Sequence, residues 1–268
     1  MKYAIFSNGK IDIDESLFLK KGFKLDERNP EVVFSFGGDG TMLKAIHKYE
    51  DILDKIKFVG INGGTLGFFT SFEKEELDYT LDMLINNKLI DNEFSLLEYE
   101  INNEKKGLAV NEIAITNPIH TQIIDVFINE KLLETFRGTG FLVSPPSGST
   151  AYNKSLGGSV IDPSLKAFQL TEIASINNRV YKTIASPIIL SQKNKVVLVP
   201  KNNSNIYISV DGESLNIEDV KEIKCSLSDK KIIILSHYND DFWQRLKRAF
   251  IWKCKTKNAS TYILAFLI

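Results

Sequence analysis

The stretch Val32-Val33-Phe34-Ser35-Phe36-Gly37-Gly38-Asp39-Gly40-Thr41-Met42-Leu43-Lys44-Ala45-Ile46 reads as a buried strand, a glycine loop and the first turns of a helix. Gly37, Gly38 and Gly40 let the backbone turn sharply and aim bare N–H groups at one point. The helix that follows adds its positive end, and the ensemble suits a phosphate. Asp39 is the odd member. A carboxylate beside a polyanion is repelled unless it bridges through a metal ion or takes a proton from a nucleophile, and both uses point to phosphoryl transfer. The same residues also fit a tight turn in which Asp39 caps the helix.

Outward from this loop, strand and helix patterns alternate. A strand is expected near 3–7, a helix near 14–21, a helix over 42–49, a strand over 57–61, and a helix over 73–86 with Leu77, Leu81, Leu84 and Ile85 at helical spacing. That alternation predicts a parallel sheet wrapped by helices, whose ligands sit beyond the carboxyl ends of the strands. Two glycine loops fall at that edge, 37–41 and Asn62-Gly63-Gly64-Thr65-Leu66-Gly67-Phe68, so they define a cleft. From about residue 94 the texture changes to short β-rich runs at 107–116, 123–129, 195–199 and 206–210. Near Asp240 a helical pattern returns, and Phe242, Trp243, Leu246, Ala249 and Phe250 make one apolar stripe expected to pack back on the first domain. The expected fold is an α/β N-terminal domain with a parallel sheet and glycine-rich loops, plus a mainly β C-terminal domain. The first spans 1–93 with 236–251, the second 94–235, and 252–268 is a tail without an assigned role.

The 268 residues carry 33 basic and 34 acidic side chains, a formal charge of -1, so nothing suggests a broad nucleic-acid or acidic-lipid surface. Any anion site is local. Cys225 and Cys254 form no metal-type pair and read as reduced thiols of a cytoplasmic protein. The opening residues read as a first strand rather than a signal peptide, and no apolar run approaches the ~20 residues that span a bilayer.

Two further patches carry chemistry. Ala109-Val110-Asn111-Glu112-Ile113-Ala114 sets an amide and a carboxylate side by side within an apolar strand, where neighbouring side chains face opposite ways. Asn offers a donor and an acceptor, and Glu accepts from hydroxyls, which suits a ribose; two satisfied polar groups at a strand end are the alternative. Ser144-Pro145-Pro146-Ser147-Gly148-Ser149-Thr150-Ala151-Tyr152 places hydroxyls at a helix start with a tyrosine beyond. Such a segment serves as a cap, or as a surface for a base and its ribose. No Gly-x-Ser-x-Gly elbow supports a hydrolase. His47, His120 and His237 lack metal-ligand spacing, so each reads as a surface or packing residue.

With these patches in order, the chain resembles the NAD kinase family, in its short bacterial type. The matching elements are Gly37-Gly38-Asp39-Gly40-Thr41, Asn62-x-Gly64-x-Leu66-Gly67-Phe68, Asn111-Glu112, Ser147-Gly148-Ser149-Thr150-Ala151-Tyr152 with Gly157-Gly158, Thr171 to Arg179, and Asp211-Gly212. The resemblance implies ATP-dependent phosphorylation of the 2′-hydroxyl on the adenosine ribose of NAD, with Mg²⁺ accompanying the donor nucleotide. It implies that Asp39 is the base and that Gly37, Gly38, Gly40 and Thr41 shape the phosphate loop. Phe68 would line the adenine pocket, and Asn111 and Glu112 would hold ribose hydroxyls and the adjoining base. Ser147, Thr150, Ala151, Tyr152 and Ser155 would complete the adenosine site, while Ala174 and Ile176 reach the nicotinamide side, where a subunit boundary is one possibility. A homodimer or homotetramer is implied, and no metal ligands fixed in the protein.

One departure stands out. In Arg137-Gly138-Thr139-Gly140, Thr139 occupies a nicotinamide-side position where the family usually has an acidic residue, and a hydroxyl accepts weaker hydrogen bonds than a carboxylate. Two rivals remain at this level. A lipid or sugar kinase shares the glycine-aspartate loop but has no need of Asn111-Glu112, and a nucleotide-binding regulator would have lost catalysis.

Overall fold

Strand Val32–Phe36 is buried at every position, as a β-branched and aromatic run flanked on both sides by paired strands must be. It lies between Lys2–Ser7 and Lys57–Asn62, both parallel to it, with Val33 opposite Ala4 on one side and Phe58 on the other. Tyr3, Phe18, Phe23 and Phe34 form an aromatic cluster on one face, where Tyr3 and Phe18 stack at 4.3 Å. On the other face Met42, Ala45 and Ile46 of helix Asp39–Lys48 pack against Val33 and Phe58. The computed structural model describes residues 1–63, 67–201, 205–238 and 240–251. The expected tail 252–268, with Cys254, and Gly64, Thr65 and Leu66 of the second loop lie outside the described residues.

The fold is an α/β N-terminal domain followed by a mainly β domain, and the two share one sheet. Among the described residues that sheet has eleven strands. Its continuity comes from strand Ile223–Ser236, which pairs antiparallel with Ile90–Ile101 from Ile223 opposite Ile101 to Ser236 opposite Ile90. The start of the same strand pairs antiparallel with Lys195–Pro200, whereas its end runs parallel to Lys57–Asn62, with Ile234 opposite Phe58. The division expected at 93/94 therefore falls inside a strand. A second sheet of six strands contains Ile113–Thr116, Gly140–Ser144 and Ala167–Ile173, and it packs on the first through Phe136, Phe141, Phe168 and Ile223.

Boundaries shift where caps and turns take over. The helix expected over 42–49 begins at Asp39, with Gly38 as its N-cap residue. The one expected over 73–86 is a short strand Phe72–Glu73, a 3-10 turn Lys74–Glu76 and helix Leu77–Ile85, because Glu73 and Glu76 form a reciprocal capping box. The single strand expected over 107–116 is two, Lys105–Ala109 and Ile113–Thr116, with 110–112 between them.

Ile234, fully buried where the two halves meet, is a sensitive test of their shared core. Ile234→Ala is expected to lower unfolding free energy by ~3 kcal/mol, measured by urea denaturation.

Candidate functional site

The two glycine loops leave adjacent parallel strands, so they meet at one edge of the sheet. Asp39 stands at the first helical position and turns its carboxylate across the gap. Oδ2 accepts the backbone N–H of Phe68 at 2.9 Å, and Oδ1 accepts that of Phe69 at 2.8 Å. Gly67 allows this approach, since a Cβ there would lie 2.2 Å from Oδ1. Asp39 is thus held by the second loop, while remaining partly open to solvent.

The other side of that loop is held by helix Phe242–Phe250. Arg245, 3% exposed, donates from Nη1 to the carbonyl of Phe68 (2.8 Å), from Nη2 to Ser71 Oγ (3.0 Å) and from Nε to Asp240 Oδ2 (3.0 Å). Arg248 adds bonds to Asp240 Oδ1 (2.9 Å) and the carbonyl of Gly67 (3.2 Å). Burial pushes the Asp240 carboxyl up, but Arg245, Ser71 and Arg248 outweigh it and hold it below the usual carboxylate range. The apolar stripe expected to bury this helix is only partly used: Trp243 and Phe250 remain 56% and 44% exposed. The surface it meets is made of carbonyls and a carboxylate, so arginine donors dock it where aliphatic side chains could not.

Asn111 and Glu112 do not lie within a strand; they form a bend closed by Asp211. The Asp211 carboxylate accepts the N–H groups of Val110 (2.9 Å), Asn111 (2.6 Å) and Glu112 (3.1 Å), three consecutive amides that an extended strand would point in alternating directions. Asp211 and Gly212 have φ of 50° and 82° at the tip of the hairpin joining Tyr207–Val210 to Glu213–Leu215. The 3-10 turn Pro146–Thr150 abuts the bend. Ser147 Oγ donates to the carbonyl of Val110, Ser144 Oγ to that of Asn111 (2.8 Å), and a Cβ on Gly148 would sit 1.7 Å from the Asn111 carbonyl oxygen. Glu112 is 8% exposed, and its Oε2 has no hydrogen-bond partner among the described residues. Burial, and then the charge of Asp211, push its carboxyl up to about 7, against an opposing hydrogen bond from the Tyr152 amide.

Asn111, Glu112, Ser147 and Thr150 thus come together, with Ala151, Tyr152 and Ser155 on the adjoining helical turn. A cavity of about 490 Å³ is lined by Phe68, Phe69, Ser147, Phe242 and Arg245 together with the 91–95 and 162–166 segments, while Asp39, Asn111 and Glu112 do not line it. The Phe68 ring lies 5.7 Å from Phe250, over which Lys154 Nζ stands at 4.2 Å. Thr139, Ala174 and Ile176 line a separate recess of about 200 Å³ with Asn117 and His120. His237 packs on Phe72, whereas His47, expected at the surface or in packing, bonds to Asp211.

A glycine loop whose carboxylate is held by two backbone amides, and a polar bend on the second domain, are the features on which similarity to known proteins bears. The model of the ATP-NAD kinase N-terminal domain matches residues 18–89, and that of the ATP-NAD kinase C-terminal domain matches 110–236. The NAD kinase of Leuconostoc mesenteroides is 40% identical over 261 residues, covering 94% of this chain and 98% of its own. That of Streptococcus pyogenes is 41% identical over 262 residues, covering 93% and 94%. In fold, the chain is similar to yeast NADH kinase complexed with NADH, with TM-score 0.80 at 18% identity over 96% of this chain and 89% of that one. It is also similar to an NAD kinase from Archaeoglobus fulgidus in complex with ATP, with TM-score 0.73 at 22% identity over 92% and 99%. The chain belongs to the NAD kinase family and is an enzyme of that kind. Among the described residues no helix is long and apolar enough to cross a membrane.

Neither Arg245 nor Asp240 was singled out by the sequence reading, although Asp240, Arg245 and Arg248 recur at helical spacing. Arg245→Lys keeps the charge but cannot serve the carbonyl, hydroxyl and carboxylate together. Kinase turnover is expected to fall on the order of 10-fold, with a lower melting temperature, in a steady-state assay paired with calorimetry.

Proposed function

We propose that the protein transfers the terminal phosphoryl group of ATP to the 2′-hydroxyl of the adenosine ribose of NAD, giving NADP and ADP. The observation that carries this reading is Glu112 Oε2, a buried carboxylate oxygen without a donor, set beside Asn111. An unpartnered buried acceptor is costly, and a sugar hydroxyl satisfies it. Asn111 and Glu112 hold the ribose and the adjoining base, and Ser147, Thr150, Ala151, Tyr152 and Ser155 complete the adenosine site. Phe68 lines the adenine pocket. Gly37, Gly38, Gly40 and Thr41 cradle the phosphates, and Asp39 takes the proton of the attacking hydroxyl. The amides of Phe68 and Phe69 fix Asp39 in place, so positioning supplies most of the catalysis, as phosphoryl transfer generally requires.

Mg²⁺ suits this donor set when carried on the nucleotide. It binds through one or two carboxylates plus phosphate oxygens, and among the described residues no cluster of three or more His, Cys, Asp or Glu forms a cage. When bound, the ion spreads the charge of the transferring group. Asp39 is the carboxylate of the glycine loop and would stand nearest to it. Thr139, Ala174 and Ile176 take the nicotinamide side. Exposed Val180, Tyr181 and Ile184 follow them in the chain, which supports a second copy covering that side in a homodimer or homotetramer. The buried free thiol of Cys225 is in keeping with a cytoplasmic protein.

The test is direct. The purified protein with ATP, Mg²⁺ and NAD is expected to form NADP, read with an NADP-specific dehydrogenase; saturable NAD binding without product would favour the regulator instead. Asp39→Asn is expected to bind NAD normally and to lose ~10²-fold or more in kcat. Near-normal turnover would remove Asp39 from its role.

Glu112 accepts hydroxyls best when ionised, and its carboxyl titrates at about 7. The KM for NAD is therefore expected to fall as pH rises from 6 to 8, and Glu112→Gln is expected to flatten that dependence.

A further inference from the structure

His47 lies on helix Asp39–Lys48, two turns beyond Asp39, and points away from the glycine loop toward the second domain. Its Nε2 lies 2.7 Å from Asp211 Oδ2, and its Nδ1 lies 3.5 Å from Glu50 Oε2. A ring with a carboxylate at each nitrogen must donate from both, and only the imidazolium does so. Asp211 is the residue that gathers the amides of Val110, Asn111 and Glu112, and its side chain is 1% exposed. A single hydrogen-bonded ion pair therefore joins the helix that begins with Asp39 to the bend that carries Asn111 and Glu112.

We propose that His47 is a positioning residue: through Asp211 it fastens the Asp39 helix to the ribose-holding bend and so sets the distance between the base and the hydroxyl it deprotonates. The inference rests on the reading of Asp39 and Glu112 given above. A second contact on the same helix face, Lys44 Nζ to Glu213 Oε1 at 3.0 Å, reaches the same hairpin, but its side chains are 63% and 65% exposed. An exposed pair of that kind holds little. The buried pair is different, because loss of the imidazolium leaves Asp211 facing Glu50 and Glu112 without a counter-charge.

The charged groups around His47 are Asp211 from the hairpin and Glu50 from the turn after its own helix, and the neutral Tyr99 of strand Ile90–Ile101 senses the same two carboxylates. Glu112 lies behind Asp211, and the Lys44–Glu213 pair lies alongside. Hydrogen bonds to Asp211 and then Glu50 lift His47 to about 9, while burial raises Tyr99 above its usual range. The ion pair is thus complete at neutral pH and gives up its charge as pH rises through about 9, when the neutral ring keeps only its Nε2–H on Asp211.

The experiment compares kcat and KM for NAD from pH 6 to 10 in the wild type, His47→Ala, His47→Gln, Lys44→Ala and Asp39→Asn. The Gln side-chain nitrogen reproduces Nε2 as a neutral donor. His47→Ala is expected to lose at least about 10-fold in kcat with a KM change under about threefold, as misplacement of reacting groups does. His47→Gln should recover kcat to within about threefold at pH 7.5 and stay flat near pH 9, where the wild type should decline by no more than that, to the level of the Gln variant. Lys44→Ala should match the wild type. A His47→Ala enzyme with unchanged kcat and pH profile overturns the proposal, and so does a Gln variant as impaired as the Ala variant. Asp39→Asn distinguishes the two failures: if it turns over normally, the underlying reading is wrong, whereas if it is inactive and His47→Ala is not, only the fastening is wrong.

Discussion

Everything in this molecule hangs on one ladder of hydrogen bonds, between Ile223–Ser236 and Ile90–Ile101. A strand of that length cannot belong to one domain. Its first half is a member of an antiparallel sheet, and its second half lies against the parallel strands that launch the glycine loops. Two domains joined by a flexible linker would be free to move relative to one another. Here the backbone itself sets their relation, because one strand is paired in both halves.

Within that frame three carboxylates perform one physical task. Asp39 and Asp211 each collect backbone amides from a segment distant in sequence, and Asp240 ties Ser71, 169 positions earlier, to Arg245 and Arg248 of the helix that follows it. Charge-assisted bonds to backbone amides are strong and directional, which fits them to fixing irregular backbone. The arrangement also separates labour. Asp211 and Asp240 are buried and answered by His47, Arg245 and Arg248, whereas Asp39 keeps a partly open face. Glu112 is the exception among these acids, buried with an oxygen that no described donor answers.

Strand Val32–Phe36 and the loop after it were legible because the information is local: a run of apolar residues, then glycines, within a dozen positions. The 146–150 turn was legible for the same reason. Asn111 and Glu112 were misread as strand because apolar neighbours flank them, and no local signal shows that a carboxylate 101 positions away gathers the amides of Val110 and the two residues after it. Helix Phe242–Phe250 was legible as a helix, but which face it buries depends on the carbonyl of Phe68, 177 positions earlier. Periodicity describes an element's own faces. It carries nothing about whether the surface opposite is oil or carbonyl oxygen.

That last dependence has a consequence for how the enzyme comes into being. The two glycine loops, with Asp39 in the first, leave the ribosome within about the first quarter of the chain, long before Arg245 exists to satisfy the carbonyl of Phe68. Domains fold during synthesis from the N-terminus onward, yet contacts of such wide separation form late. The nascent protein therefore carries the second loop for most of its synthesis without the arginine that holds it. Docking of the C-terminal helix is thus the step that completes the hydrogen bonds of that loop, and a chain released early lacks them.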